Sequence, residues 1–344
     1  MMMERLGTAL GYRNILIAGG AGFIGSNLAG YLLQQEGIES IVVIDNFVSG
    51  SRKNLEGSGG DKRLSLLEMD ITDPSVIEKA GTGFDLVLHL AAIANPTDYE
   101  TNPVETLMVN SDGSRNMIDI AERSRAKYVF FSSSEVYGNY DPIPNDSLSE
   151  SLPGRIVLNQ KRSPYVVGKC FGEEMALNLC SRKGLEHIII RPFNIYGPNM
   201  DLMTTYGRVI PNFCLWGLRG LPLRVHGDGN QVRSFCHIDD LVNGLVLLLK
   251  EDINGMSVNI GYPDPIPIID LARMVSGILG LQENFRFVDK YPYEPVIRIP
   301  DITLIRDLTG WKPEVDLRSG LEDMIGWFRK YGLHRYDRMA SSDG

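Results

Sequence analysis

Tyr165 and Lys169, in SPYVVGKCFGEEMALNLCSRKG, are four residues apart and so share one face of a helix. A lysine cation beside a phenol favours the phenolate and lowers its pKa. A phenol that ordinarily titrates near 10 can then act as a base close to neutral pH. About thirty residues upstream, SSSEVYG puts Ser132, Ser133, Ser134 and Glu135 at the end of an apolar run. Three hydroxyls and a carboxylate at a strand end are costly unless they bind something. Tyr-x-x-x-Lys alone is a common accident, so its meaning depends on the elements that carry it.

The first such element is ILIAGGAGFIG, Ile15 to Gly25. Four strand-forming residues run into a glycine-dense turn, and Phe23 and Ile24 open a helical pattern. Gly19 lets the chain turn sharply, Gly22 lets backbone approach a diphosphate, and Gly25 lets helix pack close on strand. The helix start offers unpaired N–H groups to phosphates. A second strand ends in Asp45, twenty residues after Gly25. An acid there can bind both ribose hydroxyls, which suits NAD and repels the extra phosphate of NADP. The polar loop NFVSGSRKNL, with Arg52 and Lys53, is a solvated turn or a contact to the adenosine half. A third strand ends in Asp70-Ile71, with Asp70 placed to accept from the adenine amino group. The fourth runs into HLAAIANP, where Ala91, Ala92 and Ala94 let backbone lie against the cofactor.

A helix is expected from about Pro103 to Ser124, then strands over Tyr128–Ser132 and His187–Arg191. Ser163 reads as the N-cap of the Tyr165 helix, Pro164 as its first residue and Gly184 as its stop. Strands alternating with helices imply right-handed crossovers and a parallel sheet. Ligands gather beyond the carboxyl ends of such strands, which selects the Gly19 turn, Asp45, Asp70, the Ala91 loop and Ser132–Glu135 together.

The 344 residues suffice for one large or two modest domains, and 43% hydrophobic content is ordinary for a globular chain. No apolar run reaches membrane-spanning length. The first dozen residues lack the apolar centre of a secretion signal and read as a loose extension. Ser341–Gly344 reads as a frayed tail. Four cysteines (Cys170, Cys180, Cys214, Cys236) show no paired metal spacing and read as reduced thiols of a cytoplasmic protein. A net charge of -9 argues against coating nucleic acid, though not against one nucleotide in a basic pocket. Trp216 and Leu218 read as core, and His226 and His237 as structural.

Together, GGAGFIG, Asp45, HLAA, SSSEVYG, Tyr165/Lys169 and RPFNIYGP resemble the extended short-chain dehydrogenases that modify nucleotide sugars. The resemblance runs from about Arg13 to Tyr331. It implies an α/β fold: a Rossmann-type doubly wound parallel sheet over residues 1–191 that holds NAD. A smaller C-terminal α/β domain, mainly 192–335, would clamp the nucleotide diphosphate, with the chain free to cross back and 336–344 as a tail. Homodimers are usual, often through helices of the N-terminal domain. Asn46, Ile71, Asn110 and Pro192 join the implied cofactor contacts. Asn194 matches a diphosphate-contacting asparagine and Arg233 an arginine that forks onto phosphate; Arg298 could also face the nucleotide.

The implied first step is oxidation at the sugar C4. Tyr165 takes the hydroxyl proton while hydride leaves for NAD, Ser133 holds the hydroxyl, and Lys169 orients the nicotinamide ribose. The 4-keto sugar then has three fates in the family: epimerisation, dehydration or, for a hexuronate, decarboxylation. Ser134-Glu135 stands where dehydratases carry Asp-Glu, which disfavours dehydration. The acid at Glu135 also counts against a plain sugar epimerase. The Ser–Glu pair resembles the UDP-glucuronate decarboxylases, as do Pro96, Tyr99, Asn102 and Pro103 in AIANPTDYETNPVETL. Arg208 in GRVIPNF matches an arginine those enzymes use near the uronate. Ser133 replaces their usual threonine, Cys170 a usual arginine, and the stretch after VYG differs. A decarboxylase acting on a UDP-hexuronate is the leading expectation. A 4-epimerase of a UDP-sugar or UDP-uronate is the second, and an NAD-holding regulatory or scaffold protein the third.

Overall fold

The computed structural model describes residues 10–140, 147–200, 208–290 and 297–332. Most of the expected N-terminal extension, and the expected tail, lie outside them. Leu10, expected in the extension, is instead buried against the main core.

Six strands follow the expected order: β1 (Asn14–Ala18), β2 (Ser40–Asp45), β3 (Leu64–Glu68), β4 (Leu86–His89), β5 (Lys127–Phe131) and β6 (His187–Pro192). A seventh, Met256–Ile260, pairs with β6 and was not anticipated. The sheet runs seventh–β6–β5–β4–β1–β2–β3, parallel throughout. The order reverses direction between β1 and β4, which opens a crevice at their carboxyl ends.

Both faces of the sheet are buried, which is why its strands read as continuous apolar runs. Alternate residues point to opposite sides. Ile15, Ile17, Val129 and Phe131 face one core, which the helix Ile238–Lys250 closes with Val242, Leu245 and Leu249. Leu16, Ala18, Tyr128 and Phe130 face the other, closed by Met117, Ile120 and Ala121 of the helix Asp112–Ser124. A smaller core gathers Phe213, Val225, Leu271 and Leu321 from later segments. Beside it lie the parallel pair Leu223–His226 with Phe285–Val288, and a sheet joining Pro265–Pro267, Val232–Ser234 and Ile297–Arg298.

Local readings needed correction. The helix expected over Pro103–Ser124 is two helices, Pro103–Asn110 and Asp112–Ser124, parted at Ser111 (φ -103°, ψ -80°). The Ser111 hydroxyl bonds back to Leu107 O at 3.1 Å, a competition with helix geometry that serine commonly sets up. A short helix, Pro96–Thr101, precedes them. Ser163 does not cap the Tyr165 helix: it is its first residue, and its hydroxyl bonds to Val157 O and accepts from Gln160 N. Gly184 does end that segment, in the left-handed conformation (φ 66°).

The glycine turn is fixed by crowding. A Cβ on Gly25 would lie 2.3 Å from Gly19 O, and one on Gly19 would lie 2.5 Å from Ala91 N. Gly19 also sits at φ 78°, where side chains are disfavoured. The turn is thereby pressed against the loop after β4, at the crevice.

Candidate active site

Two cavities meet at the carboxyl edge of the sheet. The first, about 340 Å³, is lined by Gly19, Gly22, Gly25, Asp45, Asn46, Asp70, Ile71, Ala91, Ala92, Ser133, Tyr165, Lys169 and Pro192, among others. The second, about 360 Å³, is lined by Pro96, Tyr99, Ser134, Glu135, Asn194, Arg233 and Arg298, among others. Phe23, Ile24, Ser133, Tyr165, Pro192 and Arg208 face both. Residues expected at one dinucleotide site and one sugar site thus divide between two adjoining spaces, with the phenol at the junction.

The first cavity fits the dinucleotide. Helix Phe23–Leu32 starts at Gly22 with no side-chain cap, which leaves backbone N–H groups for an anion. Asp45 accepts from Ala21 N at 2.9 Å and Phe47 N at 2.8 Å, one bond to each oxygen. Its remaining lone pairs suit ribose hydroxyls. Burial raises its pKa despite those two backbone bonds. Asp70 is held by Thr72 and by Asn46 Nδ2 (3.0 Å). Arg52 pairs with Glu68 and lies 4.5 Å over the Phe47 ring, away from the cavity wall. Asn110 is also off the wall: it is fully buried, and its amide donates to Thr106 O.

The Tyr165 helix delivers phenol and ammonium as its spacing requires, but their electrostatics differ from the expectation. Lys169 Nζ donates to Phe131 O at 2.7 Å and lies 6.0 Å from the Tyr165 ring centre. Burial drives Lys169 down to about 7, against the charge of Glu173. Burial also pushes Tyr165 up to about 12. A hydrogen bond with Ser133 lowers it, the Glu135 charge raises it, and Arg162 and Arg208 lower it. Desolvation is the largest of these effects, and it outweighs the groups that favour the phenolate. Tyr99 stacks on Tyr165 at 5.3 Å and 15° and shields it from water.

Glu135 is the second electrostatic centre. Ser133 caps the turn Ser134–Tyr137 by accepting from Glu135 N at 3.2 Å. The Glu135 carboxylate pairs with Arg298 and, at 2.7 Å, with Arg162. Burial pushes this carboxyl up, but Arg298 and Arg162 outweigh it and hold it below the ordinary range. Arg298, expected to face a nucleotide, is thus paired with Glu135. It neighbours Arg233 across the strand pair. Arg233 also donates to Val232 O at 2.8 Å. Asn194, at φ 40°, donates to Ser234 O. Arg208 opens the helix Val209–Leu218 at φ 50°.

Arg162 was missed in the sequence, although a cation one turn before Tyr165 was the available signal. Trp216 and His226, read as core and structural, line the second cavity together with Arg224. His226 Nδ1 also meets Asp289 O at 3.0 Å.

Residues 15–261 match the NAD dependent epimerase/dehydratase family, and the chain belongs to it. UDP-glucuronic acid decarboxylase 5 of Arabidopsis thaliana is 39% identical over 93% of this chain and 91% of its own length. UDP-glucuronic acid decarboxylase 1 of Xenopus tropicalis is 37% identical over 94% of this chain and 74% of its own. Among solved structures, the UDP-glucose 4-epimerase of Thermotoga maritima with UDP-glucose superposes with a TM-score of 0.84. It is 27% identical and spans 92% of this chain and 99% of that one. A Bacillus cereus UDP-glucuronic acid 4-epimerase mutant, in complex with a fluorinated UDP-glucuronic acid and NAD, gives 0.83 at 28% identity, over 92% and 99%. The family is NAD-dependent, and the first cavity has the donors, acid and shape for that cofactor.

An unfolded glutamate titrates near about 4.3. Glu135, with a lower native value, favours the folded state above that pH and loses its contribution as pH falls toward the native value. Glu135→Gln should therefore flatten the acid limb of stability below about pH 4.3. Urea denaturation across pH reads the slope, and an unchanged slope would mean the carboxylate is unpaired in the folded protein.

Proposed function

We propose that the chain is an NAD-dependent decarboxylase of a UDP-hexuronate such as UDP-glucuronate. One observation carries the reading. Among the described residues, the second cavity is walled by five arginines (Arg162, Arg208, Arg224, Arg233, Arg298) and one carboxylate, Glu135, that two of them already neutralise. Such a wall suits a ligand with a diphosphate and a further carboxylate. The decarboxylase relatives, covering nearly the whole chain, support it.

In this proposal Gly19, Gly22, Phe23, Ile24, Gly25, Asp45, Asn46, Asp70, Ile71, Ala91, Ala92, Lys169 and Pro192 hold the cofactor. Asn194, Arg233 and Arg208 hold the substrate's anionic groups, with Pro96 and Tyr99 against the sugar. NAD, when bound, supplies the hydride acceptor and later the donor for C4. Tyr165 takes the C4 hydroxyl proton, and Ser133 holds that oxygen. With a ketone at C4, the C5 carboxylate is that of a β-keto acid. Carbon dioxide leaves, the electron pair of the broken bond delocalises onto the C4 oxygen, and a proton from solvent then adds at C5 and restores the C4 ketone. Ser133 and Tyr165 stabilise that oxygen by donating hydrogen bonds to it. Ser134 offers no acid to expel a hydroxyl, so dehydration is not favoured. Glu135 stays ionised in the wall, paired with Arg298 and Arg162.

We also propose a homodimer built on the exposed apolar side chains of the helices Pro103–Asn110 and Ser163–Met175. Val104 is 59% exposed, Met108 41% and Phe171 49%, unusual for neighbouring helices of a monomer. A cytoplasmic location agrees with four cysteines free of disulfides; fractionation tests it.

Incubation with UDP-glucuronate, read by mass spectrometry, should show loss of the carboxyl mass. Unchanged mass with a new anomeric NMR signal would instead support the 4-epimerase, which the epimerase-like fold also accommodates. Tyr165→Phe should lower turnover by about 10²–10⁴-fold while NAD content stays constant; intact turnover would overturn the assigned base. Phe171→Glu should yield monomers by light scattering if the helical face is the interface, and an unaltered mass would remove it from consideration.

A further inference from the structure

Glu135 and Arg298 lie far apart in sequence, yet their side chains pair. One buried amide bonds to both segments. Asn259, with no exposed surface, is the penultimate residue of the seventh strand. Its Oδ1 accepts from the hydroxyl of Tyr137 at 2.7 Å, and Tyr137 is two residues beyond Glu135. Its Nδ2 donates to Asp301 O at 3.1 Å, and Asp301 is three residues beyond Arg298. The same Nδ2 donates to Leu148 O at 2.9 Å. Leu148 in turn brackets the Arg298 segment, donating to Ile299 O at 2.8 Å and accepting from Asp301 N at 3.0 Å.

This position needs one acceptor and two donors at the same point. An amide supplies both; an acid lacks the donors and an aliphatic side chain lacks everything. The amide is fully buried, so each lost bond would leave a desolvated group unpaired. Tyr137 extends the clip to the Tyr165 helix: it accepts from Arg191 Nη1 at 3.1 Å, and Arg191 grips Glu173 with two bonds of 2.9 and 2.7 Å. Asn259 lines neither of the two adjoining cavities, so its effect passes through the residues it holds.

We infer that Asn259, with Tyr137, is a positioning residue that sets the register between the Glu135 turn and the Arg298 strand, and so holds the Glu135–Arg298 pair in the cavity wall. The test compares the acid limb of stability in four proteins: wild type, Glu135→Gln, Tyr137→Phe and the double variant. Tyr137→Phe removes one hydroxyl and little volume. A second set replaces Asn259 by Ser. The wild-type difference in acid-limb slope made by Glu135→Gln should shrink at least twofold in the Tyr137→Phe and Asn259→Ser backgrounds. An undiminished difference in Tyr137→Phe overturns the inference, even if Asn259→Ser fails to fold. This arm needs no substrate and stands apart from the proposed reaction. A kinetic arm rests on that reaction: Tyr137→Phe should lower kcat for UDP-glucuronate at least threefold, and under twofold once Glu135 is Gln. Equal fold-losses in both backgrounds would indicate a general structural role and contradict positioning of the pair.

Discussion

Desolvation of the Tyr165 and Lys169 side chains is the constraint on which this site depends. Both groups are buried in the wall of the first cavity, Tyr165 at 9% exposure and Lys169 at 2%. Burial disfavours each charge separately: it takes the lysine down to about 7 and the phenol up to about 12. Burial thus works against the phenolate and against the ammonium that would favour it. Groups that favour the phenolate are the Ser133 hydroxyl and the guanidinium groups of Arg162, at the start of the same helix, and Arg208. Burial thus favours the neutral phenol, and the arginines in the wall favour the phenolate that acts as a base.

The sheet explains why these groups converge. Parallel strands bring every βα turn to one edge, so the Gly19 turn, Asp45, Asp70, the Ala91 loop and the Ser132–Glu135 turn arrive together. The return of the chain through Met256–Ile260 extends that edge beyond β6. It also brings Asn259 to Tyr137 and Asp301, which follow Glu135 and Arg298 in the chain. The arginine-rich wall is therefore a tertiary product, assembled from five separate segments around one carboxylate.

Much of this was legible because local rules agreed with one another. The strand–turn–helix of Ile15–Gly25, the acid at the end of β2 and the four-residue spacing of Tyr165 and Lys169 are short-range features. Their outcomes depend on backbone geometry that sequence spells out. What was hidden depended on distant partners. Met256–Ile260 (MSVNI) alternates apolar and polar residues as a strand does, but over only five positions, and its partner β6 lies far away in sequence. Arg162 looks like one more surface cation until Glu135 is beside it. Arg298 reads as a ligand contact until its carboxylate partner, far away in sequence, is seen. Trp216 and His226 show no apolar or polar pattern that would assign them to a wall rather than a core. The sign of the Tyr165–Lys169 interaction was inferred from charge alone, and the depth of burial that governs it cannot be read from spacing.

The ionisation of Lys169 tests the dominance of burial most directly. The cofactor-free protein, labelled with ¹³C at lysine Cε, can be titrated by NMR, with Lys169 assigned by its loss in Lys169→Met. If desolvation governs the pair, the midpoint falls near about 7. A midpoint at or above the ordinary lysine value of about 10.4 would mean that a full ammonium faces the phenol, and would contradict desolvation as the governing force at this site.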